Sequence, residues 1–420
     1  MRIISSLMII LLVLSTGCKS YDKNPIDWQT ELSDYKSAEV RITSLSDAGK
    51  LALIGNRELN AKRLKAANSE KAAKESGWWE DPEFDMDLMR IVNPSDNPFI
   101  TGASVAFTIP LSGSPAILAK AEELYAAADL ADVRAAEKDV FVEAKLLTVR
   151  ISALRKRAAM LCGHDKDDRI VRSRANVEKL YQNGEMSASE RATVLRQRHA
   201  RHHALMETER DISEAEISYM RLLGLRPETK LHIEIDPAEI PISKPNDIDV
   251  MDLTSHPKVT AALIRLNASE EALRSEIRKQ YPDLKLGPAY TREEGMDRFG
   301  FVAGVTLPLW NRNRKGIAAA EGLRDETRLE AIDVWRSLVC DAVVARSRFL
   351  NLLSHSPVSA NERKEVDRLA DAGELTPLDY LAIREQIFDQ KLEEINWKQD
   401  AVLAAIEMER FKPDENEELK

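Results

Sequence analysis

"GNRELNAKRLKAANSEKAAKESGWWEDPEF", Gly55 to Phe84, aligns with "SHPKVTAALIRLNASEEALRSEIRKQYPDL", Ser255 to Leu284. The match resumes further on at a nearly constant offset of roughly 200 residues. "GASVAFTIPL" from Gly102 answers "GFVAGVTLPL" from Gly300, and "EKLYQNGEMSASERATVLRQ" from Glu178 answers "DRLADAGELTPLDYLAIREQ" from Asp367. Matching blocks in the same order mean two copies of one structural unit. A duplicated unit that alternates long helix with short strand is hard to reconcile with an enzyme built around one asymmetric pocket.

Working outward, the blocks divide the chain. Residues 1–17 read as a signal peptide, because Arg2 precedes an apolar run, Ile3 to Leu14, that is too short to span a membrane and ends in Ser15-Thr16-Gly17-Cys18. Cleavage before Cys18 leaves its thiol to carry lipid and anchors the chain to a membrane without spanning it. An ordinary secretory signal with an incidental cysteine is the other reading. In lipoproteins that this segment resembles, Lys19 rather than Asp after the cysteine favours the outer membrane. Residues 18–45 read as an irregular lead, 46–228 as the first repeat, 229–254 as a proline-rich connector, 255–410 as the second repeat and 411–420 as an acidic tail.

Composition is that of a helical protein, rich in Ala, Leu, Glu, Arg and Lys and poor in aromatics. The net charge of -10, with no offsetting basic stripe, argues against nucleic acid as a partner. Cys162 and Cys340 lie at depths differing by roughly 30 Å along parallel helices, so both are expected as free, buried thiols.

Within the first repeat, Ser46 or Asp47 is placed to cap a helix running to about Ser76. In "FDMDLMRIV", Phe84, Met86 and Leu88 alternate with Asp85 and Asp87, and in "ASVAFTI" Val105, Phe107 and Ile109 alternate with Ala106 and Thr108. Both are strands with one apolar face, joined by the polar turn "NPSDNP". The second repeat has a helix from about Val259, strands Leu284 to Tyr290 and Phe299 to Leu307, and the loop "TREEGMDR" between them. From about Ala116 to Leu180 the pattern is helical throughout, a rod of roughly 100 Å. It returns from Ser187 to Leu223 with a seam of Leu205, Thr208, Ile212, Ala215, Tyr219 and Leu222 at alternating steps of three and four. Gly163 and Pro357 are expected kink points.

Each rod turns on a tightly specified tip. Gly184 and Gly373 suit the left-handed position past a helix end. Ser187 and Thr376 are placed to cap the returning helices, with Glu190 and Asp379 completing capping boxes and Pro377 at the first helical position. Glu185, Met186, Glu374 and Leu375 are expected to be exposed there. By spacing alone the tips are either docking surfaces or closures of the hairpins.

The strands impose a second constraint. Strands cross lipid only as a closed barrel, and the smallest have about eight strands. This chain supplies four, so a barrel must be shared between copies: two chains reach eight and three reach twelve. The apparent strand lengths of about seven to nine residues fall slightly short of the roughly 9–11 needed for a tilted span.

Together, "SGWWEDPEF" and "QYPDLKL" before the strands, "TLPLWNRNRKGIAAAE" after the fourth, and "YQNGEMSASE" and "AGELTPLDYLAIRE" at the tips resemble the TolC-like outer-membrane efflux proteins. The resemblance is closest to the branch that works with heavy-metal pumps of the resistance-nodulation-division type. It covers about residues 45 to 410. It implies a mainly α fold with a small β part, in which two tandem repeats place long antiparallel helical hairpins in an α-barrel and four strands per chain in a trimeric 12-stranded β-barrel. It further implies a passive export duct with heavy-metal cations as cargo, a homotrimer, a periplasmic adaptor protein and an inner-membrane pump; the leader, read separately, adds a lipid anchor at Cys18 in the outer membrane. In that family the hairpin tips form the periplasmic gate and meet the adaptor, roles that fall here on Gly184, Glu185, Met186, Ser187, Gly373, Glu374, Leu375 and Thr376. The alternative is a periplasmic coiled-coil lipoprotein that scaffolds other proteins, with its strands in a water-soluble β-domain.

His199, His202 and His203 in "RHARHH" have helical spacings at which two imidazoles can face one cation. Arg196, Arg198 and Arg201 crowd the same turns, so a solvated basic face is expected and no metal or cofactor site is assigned. No phosphate-binding glycine loop, nucleophile elbow or zinc-protease motif is present, and no catalytic residue is assigned.

Overall fold

The computed structural model describes residues 21–30, 39–90, 92, 99–242, 251–293, 295–305, 307, 309–355 and 363–412. Cys18, the leader, the "NPSDNP" turn, Pro357 and the end of the acidic tail lie outside the described residues. The described elements are β1 (Glu39–Ile42), α1 (Leu45–Gly55), α2 (Arg57–Lys74), β2 (Glu83–Arg90), β3 (Phe99–Ile109), α3 (Ser114–Asp165), α4 (Asp168–Gln182), α5 (Ala188–Leu222) and β4 (Lys230–Ile233). They continue with α6 (Pro257–Arg278), β5 (Leu284–Glu293), β6 (Met296–Val305), α7 (Arg314–Ser354), α8 (Arg363–Asp371) and α9 (Pro377–Glu407).

The spine is α3, whose 52 residues run about 78 Å at 1.5 Å per residue. It packs against α2 and α6 along one stretch and against α1, α5 and α9 along the rest, while α7 packs on α6 and α9. The seam on α5 forms as its spacing predicts: Thr208, Ala215 and Tyr219 are buried and Leu205, Ile212 and Leu222 half-buried. Tyr219 sits in a core with Ile42, Ala52, Ala144, Ile151, Met220 and Leu231, where α1, α3 and α5 meet β1 and β4. Its hydroxyl lies 3.0 Å from that of Thr148. Burial pushes the Tyr219 phenol up to about 12.

Several expectations change. The helix expected to run unbroken to Ser76 splits between α1 and α2, because the end of α5 crosses it there. Asn56 accepts from the Leu59 amide at 2.8 Å, capping α2, and its own amide donates to the Leu222 carbonyl at 3.0 Å. The crossing is backbone on backbone: a Cβ on Gly55 would stand 2.2 Å from the Leu223 carbonyl oxygen, and one on Gly224 2.3 Å from that of Gly55. The 18–45 lead is not wholly irregular, since β1 pairs in parallel with β4, Glu39 opposite Lys230 and Ile42 opposite Ile233. The rod breaks at Lys166 and Asp167 rather than at Gly163, which is helical and has open space where a Cβ would be. Asp167 causes the break by capping α4, accepting from the Arg169 amide at 3.0 Å. Cys162 is half-buried and Cys340 exposed, both free, so neither is the buried thiol expected from helical depth alone. The 411–420 segment is not all solvated tail: Phe411 packs with Leu253, Val259 and Leu338.

His256 joins that last contact to α6. As its N-cap, it accepts from the Lys258 amide through Nδ1 at 3.2 Å, while Nε2 donates to the Arg410 carbonyl at 3.0 Å. Burial, with the neighbouring Lys138 charge, lowers its pKa from 6.5 to about 4. Between those pH values the unfolded chain binds the proton more tightly, so stability present above pH 6.5 is lost as pH falls toward 4. His256→Asn keeps a capping side chain without the titration, so its melting temperature is expected to fall less than the parent's between pH 7 and pH 5; an equal fall removes His256 as the acid-sensitive group.

Candidate functional site

The four repeat strands form one antiparallel sheet in the order β2-β3-β5-β6, so each repeat contributes a hairpin and β3 and β5 join the two. β2, with 8 residues, has the length expected, whereas β3, β5 and β6, with 11, 10 and 10, are longer, in the second repeat because the "TREEGMDR" loop is mostly strand that turns at Gly295, φ 82°. Ten residues rise about 34 Å and, tilted by about 40°, span about 26 Å, matching the roughly 25 Å apolar band of membrane barrels.

Register decides what each face carries. Phe84 lies opposite Val105, Met86 opposite Ala103 and Leu88 opposite Thr101. Phe107 lies opposite Leu286, which in turn faces Ala303, while Pro288 faces Phe301 and Tyr290 faces Phe299. Alternation therefore gathers these residues on one apolar face. The opposite face takes Glu83, Asp85, Asp87, Gly102, Ser104, Thr108, Lys285, Gly300 and Gly304, mostly polar or small, with Met89, Ile100, Met296 and Val302 as its larger apolar side chains. Among the described residues the apolar face is not covered: every residue of β2 is exposed, Phe299 and Phe301 are 85 % and 87 % exposed, and β2 and β6 each pair on one side only, whereas Ala106, Thr108 and Gly287 on the opposite face are buried. Trp78, Trp79 and Trp310, all exposed, stand at the helical end of the sheet. Among the described residues no helix is long and apolar enough to cross a membrane.

At the far end of the helices, both tips have the geometry their residues dictate. Gly184 and Gly373 take φ of 76° and 74°. Ser187 and Glu190 form a complete capping box, and Thr376 accepts from the Asp379 amide at 3.1 Å. Glu185 and Glu374 are exposed as expected. Met186 and Leu375 are not: each is half-buried, Met186 against Ile170, Val177, Val194 and Leu381, and Leu375 against Val366, Tyr380 and Ile387, because a two-helix tip folds its one apolar side chain back onto the seam.

Charges at seam positions, which the sequence reading passed over, tie the two hairpins together at the α3–α4 break. Arg384 of α9, only 4 % exposed, donates to Asp167 at 2.9 Å and to Asp367 of α8 at 3.0 Å. The Tyr380 hydroxyl donates to the same Asp367 carboxylate at 3.1 Å. Burial raises the Tyr380 phenol to about 12. One turn away Arg201 of α5 pairs with Glu385, which also meets His164 Nε2 at 3.4 Å, and the His164 ring stacks on Phe388 at 4.1 Å. Arg201 is thus buried, not part of the solvated basic face expected of "RHARHH", and burial lowers its pKa despite the Glu385 charge. His199, His202 and His203 point to solvent, with His203 3.4 Å from Glu207. The legible signal was periodic: Arg201 lies a heptad before Thr208 on the α5 seam, and Arg384 lies between Leu381 and Phe388 on α9.

Removing one member of such a buried set strands the others. Arg384→Met is expected to lower stability by about 3 kcal/mol, whereas adding Asp167→Asn and Asp367→Asn recovers most of that loss. Thermal melts of the three proteins check this; a single variant that melts like the parent shows that Arg384 does not hold the hairpins.

No protein-family model matches the chain, and no curated protein matches it. Solved structures do. The chain is similar to CusC, from a structural study of its folding and transmembrane channel formation, with a TM-score of 0.70 at 13% identity over 87% of this chain and 90% of that one. It is similar to the Campylobacter jejuni CmeC outer membrane channel, with a TM-score of 0.69 at 15% identity over 94% of this chain and 90% of that one. A membrane protein from Pseudomonas aeruginosa gives a TM-score of 0.68 at 16% identity over 94% and 96%. Repeats, tips and shared four-stranded sheet thus assemble, over nearly the whole described chain, the fold of the TolC-like outer-membrane channels.

Proposed function

We propose that this chain is the outer-membrane channel of a tripartite efflux system, a passive duct that three copies build together. The observation that carries the reading is the four-stranded sheet with one apolar face, one polar face and two unpaired edges. In water the apolar face is a liability, and in lipid the open edges are. Closure with identical sheets relieves both: three copies give twelve strands, apolar outward and polar inward. The scaffold alternative leaves Phe299, Phe301 and Met86 in water.

In this reading the helical rods extend into the periplasm. The tips at Gly184, Glu185, Met186 and Ser187 and at Gly373, Glu374, Leu375 and Thr376 form the gate and meet the adaptor, which links the duct to an inner-membrane resistance-nodulation-division pump. Opening separates the helix pairs at the turns while the barrel above stays open. A lipid on Cys18 anchors the assembly to the same membrane. The motifs' likeness to the heavy-metal branch makes metal cations the cargo to test first.

Fractionation and conductance test the duct. Detergent-resistant trimers from the outer membrane that pass ions in a planar bilayer are expected; a monomer freed from the membrane by removing its lipid identifies a scaffold instead. The tips are tested separately with Gly373→Val. The position has open space around it but φ of 74°, where a β-branched residue costs about 1–2 kcal/mol or more. Export is expected to fall while the protein still reaches the membrane, and unchanged export removes the tips from the gate.

A further inference from the structure

The apolar face of the sheet carries charge at one end only. Arg90 lies opposite Phe99, and Thr101 lies opposite Arg292, which itself faces Asp297. By alternation Arg90 shares its face with Phe84, Met86 and Leu88, and Arg292 shares the same face with Leu286, Pro288 and Tyr290. Both arginines therefore stand on the outward face of the proposed barrel, at the hairpin-loop end, just beyond Tyr290 and Phe299, whose ring centroids lie 5.1 Å apart. At the helical end the same face offers Ile109, Leu284 and Val305, with no charge.

These outward arginines also differ in pairing from the bases on the polar face. Lys285 is matched by Glu83 at 2.7 Å and Arg298 by Glu293 at 3.1 Å, so the polar-face bases are neutralised within the sheet. Arg90 makes no ion pair among the described residues. Arg292 reaches Asp297 only at 3.8 Å, and that carboxylate already accepts the Tyr290 hydroxyl at 2.6 Å.

We propose that Arg90 and Arg292 form a docking surface for the phosphorylated glycolipid of the outer leaflet, each guanidinium gripping a phosphate of its headgroup. The proposal rests on the membrane-barrel reading above. An outward arginine is costly at the bilayer midplane but nearly neutral near the interface, so rim placement suits a phosphate contact. The planar guanidinium matches phosphate oxygens in pairs. With one strand between them and two residues of offset along it, the two arginines stand about 12 Å apart, on the scale of a headgroup with two phosphates. The helices occupy the other end of the sheet, so this rim faces the outer leaflet rather than the phospholipid leaflet.

The test compares the full-length trimer with Arg90→Gln/Arg292→Gln, each reconstituted in nanodiscs. It titrates purified lipopolysaccharide, enzymatically dephosphorylated lipopolysaccharide and phosphatidylglycerol, reading bound lipid by native mass spectrometry. The expected result is that the parent binds lipopolysaccharide at least tenfold more tightly than the dephosphorylated form, and that the double variant inserts as a trimer but loses that preference. Equal binding by parent and inserted variant, no discrimination against the dephosphorylated form, or a preference for phosphatidylglycerol overturns the proposal and leaves the duct intact. A parent chain that fails to insert at all overturns the duct reading and this one with it.

Discussion

Backbone hydrogen bonding at the two edges of the four-stranded sheet is the constraint on which the rest depends. β2 and β6 each leave a row of amide and carbonyl groups without a strand partner among the described residues. Edge strands of 8 and 10 residues make those rows long, and exposed aromatic and aliphatic side chains on one face make them intolerable in isolation. In the proposed trimer, barrel closure with further copies satisfies the edges and the apolar face at once. The proposed rim contacts are a local consequence of the same register.

The helices serve this arrangement by duplication. Each repeat supplies one β-hairpin and one long helical hairpin, and α3 acts as the shared spine along which the other helices are stacked. Alanine dominates its buried positions, among them Ala121, Ala128, Ala131 and Ala144, which lets neighbouring helices approach closely without large side chains. Where apolar seams thin out near the α3–α4 break, ion pairs take over. Arg384, Asp167 and Asp367 join three helices through one guanidinium, a contact that specifies register more than it stabilises.

Much of this was legible in the residues. Glycine at positions 184 and 373, with capping residues three places on, has few alternatives to a helix–turn–helix tip, and the tips form as expected. Alternating strands and the α5 seam follow directly from periodicity. The misses have physical causes. Asn56 breaks a helix because of a chain crossing from more than a hundred residues away, which local pattern does not register. Asp167 rather than Gly163 interrupts the rod because a cap with a tertiary partner acts more strongly than a flexible residue in open space. Met186 and Leu375 turn inward because a neighbouring helix offers them a seam.

Sequence by itself determined the duplication, the helical and strand periods, the tips, and the shortage of strands for a barrel of its own, since each follows from spacing and stereochemistry within a few tens of residues. Only the tertiary structure decided that β3 pairs with β5, that all four strands turn the same kind of face the same way, and that Arg201 and Arg384 are buried partners rather than surface charge. Those outcomes depend on which distant groups compete for the same hydrogen bonds and the same dry surface, and that competition exists only once the chain has folded.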